Sequence, residues 1–331
     1  MMPPEISIWQ TLKTLPKPDQ QQWSTTTTLV KWLIATRAAV YPLTLFACLF
    51  SGIIAWPWNH PWLFGLACGG VLLAHASNNL INDRVDYLNG LDRDNYFRTR
   101  YGVQPLESGL MSLDQHLRYI LVTGTMALMC GGLIGLYLGW HALLFMGAGS
   151  IFVLFYTSPL KRIALGEVAV WVVWGPLMIC ALVYVALGRW SAEALWLGAL
   201  YGLGPLAVIL GKHTDKISDD SLRGVKTLPV LLGTRNARWS IVLVAFALPI
   251  GGMAWAVAKS QPAYLLVLGL LPMSIWVYRR LIDEETQAQP ATDQATVDST
   301  TSPLRDTVIA FHFAFLAGSL LAMSALVAKL T

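Results

Sequence analysis

The chain has 331 residues, 55% of them hydrophobic and only 13% charged, with a net charge of +4 and a mean hydropathy of +0.53. A soluble domain carries about 25% charged residues. The apolar stretches here are apolar all round rather than striped, which excludes a soluble protein with buried amphipathic helices. The small positive balance calls for no nucleic-acid partner, because basic loops beside a membrane account for it.

Residues 1–28 are polar and lack the n-region and h-region of a signal peptide. They read as a polar N-terminal segment ahead of a single transmembrane domain over 29–331. No Asp, Glu, Lys or Arg occurs in 38–82, 119–160, 168–188, 194–211, 239–258, 260–278 or 307–328. A spanning helix needs about 20 mainly apolar residues, so each of the first two stretches is long enough for two spans. Breaks at Pro57-Trp58-Asn59-His60-Pro61 and at Gly139-Trp140-His141 divide them. The expected fold is therefore all-α and integral to the membrane, with nine transmembrane helices at 29–56, 61–86, 114–138, 141–157, 165–188, 191–213, 235–258, 262–281 and 306–329.

With the N-terminus inside, 20 of the 23 Lys and Arg residues fall on inside loops and helix ends. Outside remain Arg189, Lys259 and Lys329. This positive-inside bias puts the N-terminus in the cytoplasm and predicts a multi-pass cell-membrane protein. Cys48, Cys68, Cys130 and Cys180 lie within predicted helices without metal-ligand spacing and read as packing residues. The stretch 283–305, rich in Thr, Gln and Pro, reads as a flexible connector.

Outside loops are short, whereas the inside loops after the second and sixth helices are long and acidic. That asymmetry suggests an internal repeat of helix pairs. The first acidic loop reads Asn82-Asp83-Arg84-Val85-Asp86-Tyr87-Leu88-Asn89-Gly90-Leu91-Asp92. His75, Asn79, Asn82 and Asp86 share one helix face, flanked by Asn78 and Asp83. A polar stripe on an apolar helix faces the bundle interior or a wet cavity. Gly90 can end the helix and turn Asp92 back toward the stripe.

The second acidic loop reads Lys212-His213-Thr214-Asp215-Lys216-Ile217-Ser218-Asp219-Asp220. Lys212, Asp215 and Asp219 are spaced for one face, with Asp220 about 100° away. One acidic helix end alone reads as solvated surface or a cap. Two at corresponding places on the same basic side read as a hard-oxygen site that suits Mg²⁺, which takes few carboxylates and completes its shell with substrate phosphates. His75 and His213 have no thiolate or second His at ligand spacing and read as hydrogen-bonded core residues. Arg98, Arg100, Lys161, Arg162 and Lys226 follow these motifs and would grip a polyanion such as diphosphate, or serve as topological charges. Arg37 lies inside the first helix, where a charge costs roughly 2.5–3.5 kcal/mol at the centre, and is expected to face an interior anion.

Asn82-Asp83-x-x-Asp86-x-x-x-Gly90-x-Asp92 resembles the first signature of the UbiA superfamily of intramembrane prenyltransferases. Asp215-x-x-x-Asp219, followed by Gly224-Val225-Lys226-Thr227-Leu228-Pro229-Val230-Leu231-Leu232-Gly233, resembles the second. Tyr156-Thr157-Ser158-Pro159-Leu160-Lys161 agrees as well. The Gly before the last Asp of the first motif, and Gly166-Glu167 with Gly175-Pro176, resemble the branch that prenylates 1,4-dihydroxy-2-naphthoate in menaquinone or phylloquinone synthesis. The resemblance spans roughly 29–330. The sequence departs from that branch at Gly211-Lys212-His213-Thr214 and at Gln104.

The resemblance implies Mg²⁺ held by Asn82, Asp83, Asp86, Asp92, Asp215 and Asp219, with Asp83, Asp86, Asp215 and Asp219 as the catalytic acids. It implies substrate contacts from Arg37, Asn82, Arg98, Arg100, Tyr156, Lys161, Lys212 and Lys226. The expected reaction transfers a prenyl group from a prenyl diphosphate to an aromatic acceptor, with loss of CO₂ in the naphthoate case. Its expected partners are these two substrates and membrane lipid, with the active site facing the cytoplasm. The alternatives are a terpene cyclase on the same scaffold, a prenyltransferase for another aromatic acceptor, a divalent-cation transporter, and a non-catalytic assembly protein.

Overall fold

The computed structural model describes residues 6–91, 102–156, 159–160, 163–283 and 304–331. It is all-helical, with no strand among the described residues. Among the described residues, seven helices are long and apolar enough to cross a membrane, or eight if a bent pair counts as one span. The fourth expected span, 141–157, is a shorter apolar helix, Trp140–Phe155. The chain is a multi-pass membrane protein. It divides into two compact units: Met1–Cys48, Trp58–Leu160 and Tyr184–Arg189 in the first, and Leu49–Pro57, Lys161–Val183 and Trp190–Thr331 in the second.

The first unit begins with two short helices, α1 (Ile8–Lys13) and α2 (Gln20–Thr25), in the segment read as polar. Ser7 caps α1, and a capping box between Asp19 and Gln22 starts α2. On α1, Ile8 and Trp9 are 47% and 66% exposed, but other apolar side chains of the segment turn inward. Ile6 and Trp23 are buried against Val30, Ile34, Ala35, Leu80, Leu110 and Met111, and Gln20 Nε2 donates to Gly109 O at 3.1 Å. This segment therefore builds part of the unit's core.

Helix α3 (Thr28–Ala35) and, as far as Cys48, α4 (Pro42–Ile54) follow, joined by a 3₁₀ turn at Ala38–Val40. The expected straight first span is broken here by 59°. Next come α5 (Pro61–Leu88), α6 (Leu113–Leu138) and α7 (Trp140–Phe155). Helix α5 packs against α6 and α7, and Trp32 Nε1 on α3 donates to Thr123 Oγ1 on α6 at 2.8 Å. On α6, Val122, Leu136 and Tyr137 are 61%, 82% and 67% exposed. Such a continuous apolar exterior suits lipid tails rather than water.

The second unit contains α8 from its start to Val183 (helix Gly166–Leu187), α9 (Ala192–Thr214), a single-turn α10 (Ile217–Leu222), α11 (Leu228–Lys259), α12 (Pro262–Asp283) and α13 (Arg305–Leu330). The seventh expected span starts earlier than 235, because α11 runs through a kink at Gly233, where φ is 74°. Helix α9 is the hub, packed by α8, α11 and α13. Its crossing with α8 is close. A Cβ on Gly175 would lie 2.8 Å from Gly198 O, and one on Gly202 would lie 2.6 Å from Trp171 O. Small residues spaced four apart let membrane helices approach to backbone contact. The Gly175-Pro176 pair thus has a packing reason, and it sits at a π-helical kink in α8.

Candidate active site

In the first unit the acidic segment is the end of α5. At 1.5 Å per residue this 28-residue helix is about 42 Å long, more than the roughly 30 Å hydrocarbon core, so its last turns reach the headgroup level. The expected polar stripe is present and buried: His75 is 7% exposed, Asn79 9%, Asn82 8% and Asp86 4%. Asp83, expected only to flank it, is the most buried at 2%. The helix ends as expected, with Gly90 at φ 69° and Leu91 N donating to Asp86 O at 2.9 Å.

Arg37 occupies the break between α3 and α4 with a left-handed backbone, φ 56°. Few non-glycine residues hold that conformation, and where they do the surroundings enforce it. Two contacts do so here. The Arg37 guanidinium donates to Asp83 Oδ1, and Asn79 Nδ2 donates to Thr36 O at 2.8 Å. The second bond satisfies a carbonyl freed by the broken helix, as an apolar medium demands. The interior anion that Arg37 meets in this unit is thus a motif residue. Asn82 Nδ2 donates to Asp86 Oδ2 at 3.2 Å, and Gln104 Nε2 reaches Asp83 O at 3.5 Å. His75 Nδ1 lies 2.8 Å from Thr44 Oγ1, a hydrogen-bonded core histidine as expected.

In the second unit the expected common face of Lys212, Asp215 and Asp219 does not form. Helix α9 stops at Thr214, a turn follows at Asp215-Lys216, and α10 begins at Ile217. The three acids go to different places. Asp215 turns to the start of α13, accepting from Asp306 N at 3.0 Å, Thr307 N at 2.8 Å and Thr307 Oγ1 at 2.5 Å. Burial, with Asp306 beside it, pushes its carboxyl up to about 7 against the pull of those donors. The approach depends on Gly211, whose Cβ would sit 2.6 Å from Asp306 O. Asp219 is part-exposed, with Arg223 Nη1 at 3.9 Å. Asp220, 4% exposed, lies 3.3 Å from Lys216 Nζ through Oδ1, and its Oδ2 is buried without a hydrogen-bond partner among the described residues.

Sequence reasoning passed over Asp220. The available signal was the four-residue step from Lys216, which is the ion pair seen. It also passed over Glu167, which is 1% exposed and whose Oε1 accepts from His213 Nδ1 at 2.5 Å and from Leu228 N at 3.2 Å. No spacing in the chain links Glu167 to residues 46 and 61 positions away. Lys212 is half-buried, Tyr156 half-buried at the end of α7, and Lys226 exposed, its backbone bridged to Ile163. Asp92, Arg98, Arg100, Lys161 and Arg162 lie outside the described residues, as does 284–303 of the expected connector.

The donor set fits Mg²⁺. Among the described residues no three His, Cys, Asp or Glu side chains gather into a ready-made metal cluster. The chain instead offers separate buried carboxylates, including the unpartnered Asp220 Oδ2. Mg²⁺ is commonly bound that way, by one or two carboxylates with substrate phosphates and waters completing the shell.

The sequence pattern of the UbiA prenyltransferase family matches residues 44–295, and the chain belongs to that family. The zebrafish (Danio rerio) UbiA prenyltransferase domain-containing protein 1 is 27% identical over 175 residues, covering 51% of this chain and 50% of that protein. The 2-carboxy-1,4-naphthoquinone phytyltransferase of Synechocystis is 22% identical over 257 residues, covering 76% of this chain and 82% of the relative. The chain thus spans as little as half the length of the curated relatives it matches. A UbiA homolog from Archaeoglobus fulgidus bound to GPP and Mg²⁺ shares the fold with TM-score 0.55 and 15% identity, over 91% of this chain and all of that one.

Proposed function

We propose that the protein is a Mg²⁺-dependent prenyltransferase that moves a prenyl group from a prenyl diphosphate to an aromatic acceptor, 1,4-dihydroxy-2-naphthoate, with release of CO₂. The observation that carries this reading is the set of buried carboxylates at the C-terminal ends of two apolar helices: Asp83 and Asp86 on α5, and Asp220 just past α9. Buried acids at membrane helix ends are expensive and mark a cation or ligand site. Family membership supplies the substrate class.

Magnesium, when bound, would neutralise charge building on the departing diphosphate. Asp83, Asp86 and Asn82 are the residues assigned to hold it in the first unit, and Asp219 and Asp220 are those assigned to a Mg²⁺ in the second. Asp215 is assigned to the start of α13, where its oxygens are already engaged. Lys212, Lys226, Lys161, Arg98 and Arg100 are assigned to the diphosphate oxygens, as is Arg37 once Asp83 turns to the cation. Tyr156 is assigned to the substrate pocket. The C–O bond breaks with both electrons leaving on the diphosphate, the electron-rich ring attacks the allylic carbon, and the ring carboxylate departs as CO₂. Apolar helix walls keep water from the cation. The cytoplasmic side and the cell membrane are the proposed setting, from the distribution of Lys and Arg.

The naphthoate acceptor is favoured by the similarity to the Synechocystis phytyltransferase and by Gly90, Gly166-Glu167 and Gly175-Pro176. The test is to offer purified protein this naphthoate, 4-hydroxybenzoate and homogentisate with geranyl to phytyl and longer diphosphates, following lipid-soluble product. Turnover of another acceptor and none of the naphthoate overturns the acceptor assignment. Cyclised hydrocarbon formed without an acceptor overturns the transferase reading.

A further inference from the structure

We propose that Glu167 is a clasp that holds the second acidic segment closed, and is thereby a positioning residue for prenyl diphosphate binding. The segment runs from His213, at the end of α9, to Leu228, at the start of α11. Between these ends lie Asp215, Lys216, Asp219, Asp220 and Lys226. A single oxygen, Glu167 Oε1, accepts from the side chain at one end, His213 Nδ1 at 2.5 Å, and from the backbone at the other, Leu228 N at 3.2 Å.

Helix α11 depends on this outside acceptor. Its N-cap, Thr227, makes no side-chain capping bond. The N–H of Leu228 is one of the first-turn donors that a helix cannot satisfy internally, and the Glu167 carboxylate satisfies it from 61 positions away. An anion there also complements the positive end of the helix.

A second link runs beside the first. The backbone of Ile163, four residues before Glu167, forms a parallel bridge with Lys226. The stretch 163–167 therefore braces the 226–228 end of the segment at two points. From that end the geometry passes inward through a short bond, Val225 N to Asp220 O at 2.8 Å. Asp220 is the buried carboxylate whose Oδ2 lacks a partner among the described residues. Releasing the clasp lets the Leu228 end shift, and Asp220 shifts with it.

In its bearing on activity this rests on the function proposed above; the clasping of residues 214–227 does not. The test uses the full chain in detergent and measures amide hydrogen exchange in peptides covering 214–228. Glu167→Ala is expected to speed exchange there tenfold or more, with α13 beyond its Asp215-capped first turn and the first unit unchanged. Glu167→Gln, which keeps an acceptor oxygen, is expected to stay near the parent.

Leu228→Pro gives an independent variant should Glu167→Ala fail to fold. It deletes the one N–H at a helix position where proline is tolerated, and Thr227 already has the extended backbone that a following proline requires. It should loosen the same peptides. In turnover assays Glu167→Ala is expected to raise the KM for prenyl diphosphate and the Mg²⁺ needed for half-saturation tenfold or more, with kcat within threefold, and Glu167→Gln to rescue both. Unchanged exchange over 214–228 in Glu167→Ala or Leu228→Pro overturns the clasp, as does loosening spread evenly over the second unit. The exchange arm decides this whether or not the protein turns over a prenyl diphosphate, so the two readings fail separately.

Discussion

The carboxylate of Asp215 serves as the cap of the last helix, accepting from Thr307 N at 2.8 Å and from Thr307 Oγ1 at 2.5 Å across 92 positions of sequence. Helix α13 has no side-chain cap of its own, since Leu304 stands at its N-cap. Its first turn is further held by Arg238 Nε on Asp306 Oδ2 at 2.8 Å. An acid read from spacing as a metal ligand is thus tied to helix packing.

Losing a cap of this kind costs about 1 kcal/mol, within 0.5–2. Asp215→Ala should therefore lower the thermal midpoint in detergent, and Asp215→Asn should lower it less. Thr307→Ala combined with Asp215→Ala should be less than additive, because both remove the bond from Thr307 Oγ1 to Asp215. Strict additivity in the thermal midpoints would contradict a shared interaction.

The metal-ligand assignment orders three acids of the two motifs. Asp86→Ala and Asp220→Ala should abolish turnover while the protein still folds, and Asp219→Ala, part-exposed beside Arg223, should leave the larger residual rate. Removing one ligand leaves the diphosphate charge uncompensated. Rates are compared at saturating Mg²⁺ and after EDTA treatment. Asp220→Ala matching the parent, or full activity in EDTA, would count against the assignment.

Arg37 and Asp83 form a pair with side chains 14% and 2% exposed. Breaking a buried pair by deleting one partner costs about 3–5 kcal/mol, because the other charge stays buried alone. Arg37→Ala should destabilise the protein by that order, and Arg37→Ala with Asp83→Asn should recover much of it. A double-mutant cycle in detergent unfolding checks this. Zero coupling would mean that the two groups do not depend on one another.

Much of the helical architecture was legible because charge-free runs are a direct consequence of a lipid solvent. The end of α5 was legible too. A regular helix carries its periodicity on into the motif, so His75, Asn79, Asn82 and Asp86 fell on one buried face as spacing predicted. Periodicity failed at 215–216, where the helix turns without a proline or glycine to mark it, and so Asp219 and Asp220 exchanged their expected exposures. The break at Thr36-Arg37 was hidden for the same reason. The charge of Arg37 was noticed, but its left-handed backbone depends on Asp83 and Asn79, over 40 positions away. The N-terminal helices were masked by composition, since the buried Ile6 and Trp23 are among few apolar residues in a polar stretch.

The naphthoate acceptor has a chemical signature of its own. Supplied with carboxyl-labelled 1,4-dihydroxy-2-naphthoate and a prenyl diphosphate, the protein should release labelled CO₂ in step with the lipid-soluble product. Prenylated product that retains the carboxyl label would place the decarboxylation elsewhere.

The most direct test of the central claim is a single-turnover assay of purified protein with a labelled prenyl diphosphate, run with and without Mg²⁺ and with and without the aromatic acceptor. The account predicts diphosphate release and a prenylated aromatic product when Mg²⁺ and acceptor are both present, and neither after EDTA or in Asp86→Ala. Equal prenyl transfer without any divalent cation, or binding of the prenyl diphosphate with no cleavage of its C–O bond under any of these conditions, would contradict it.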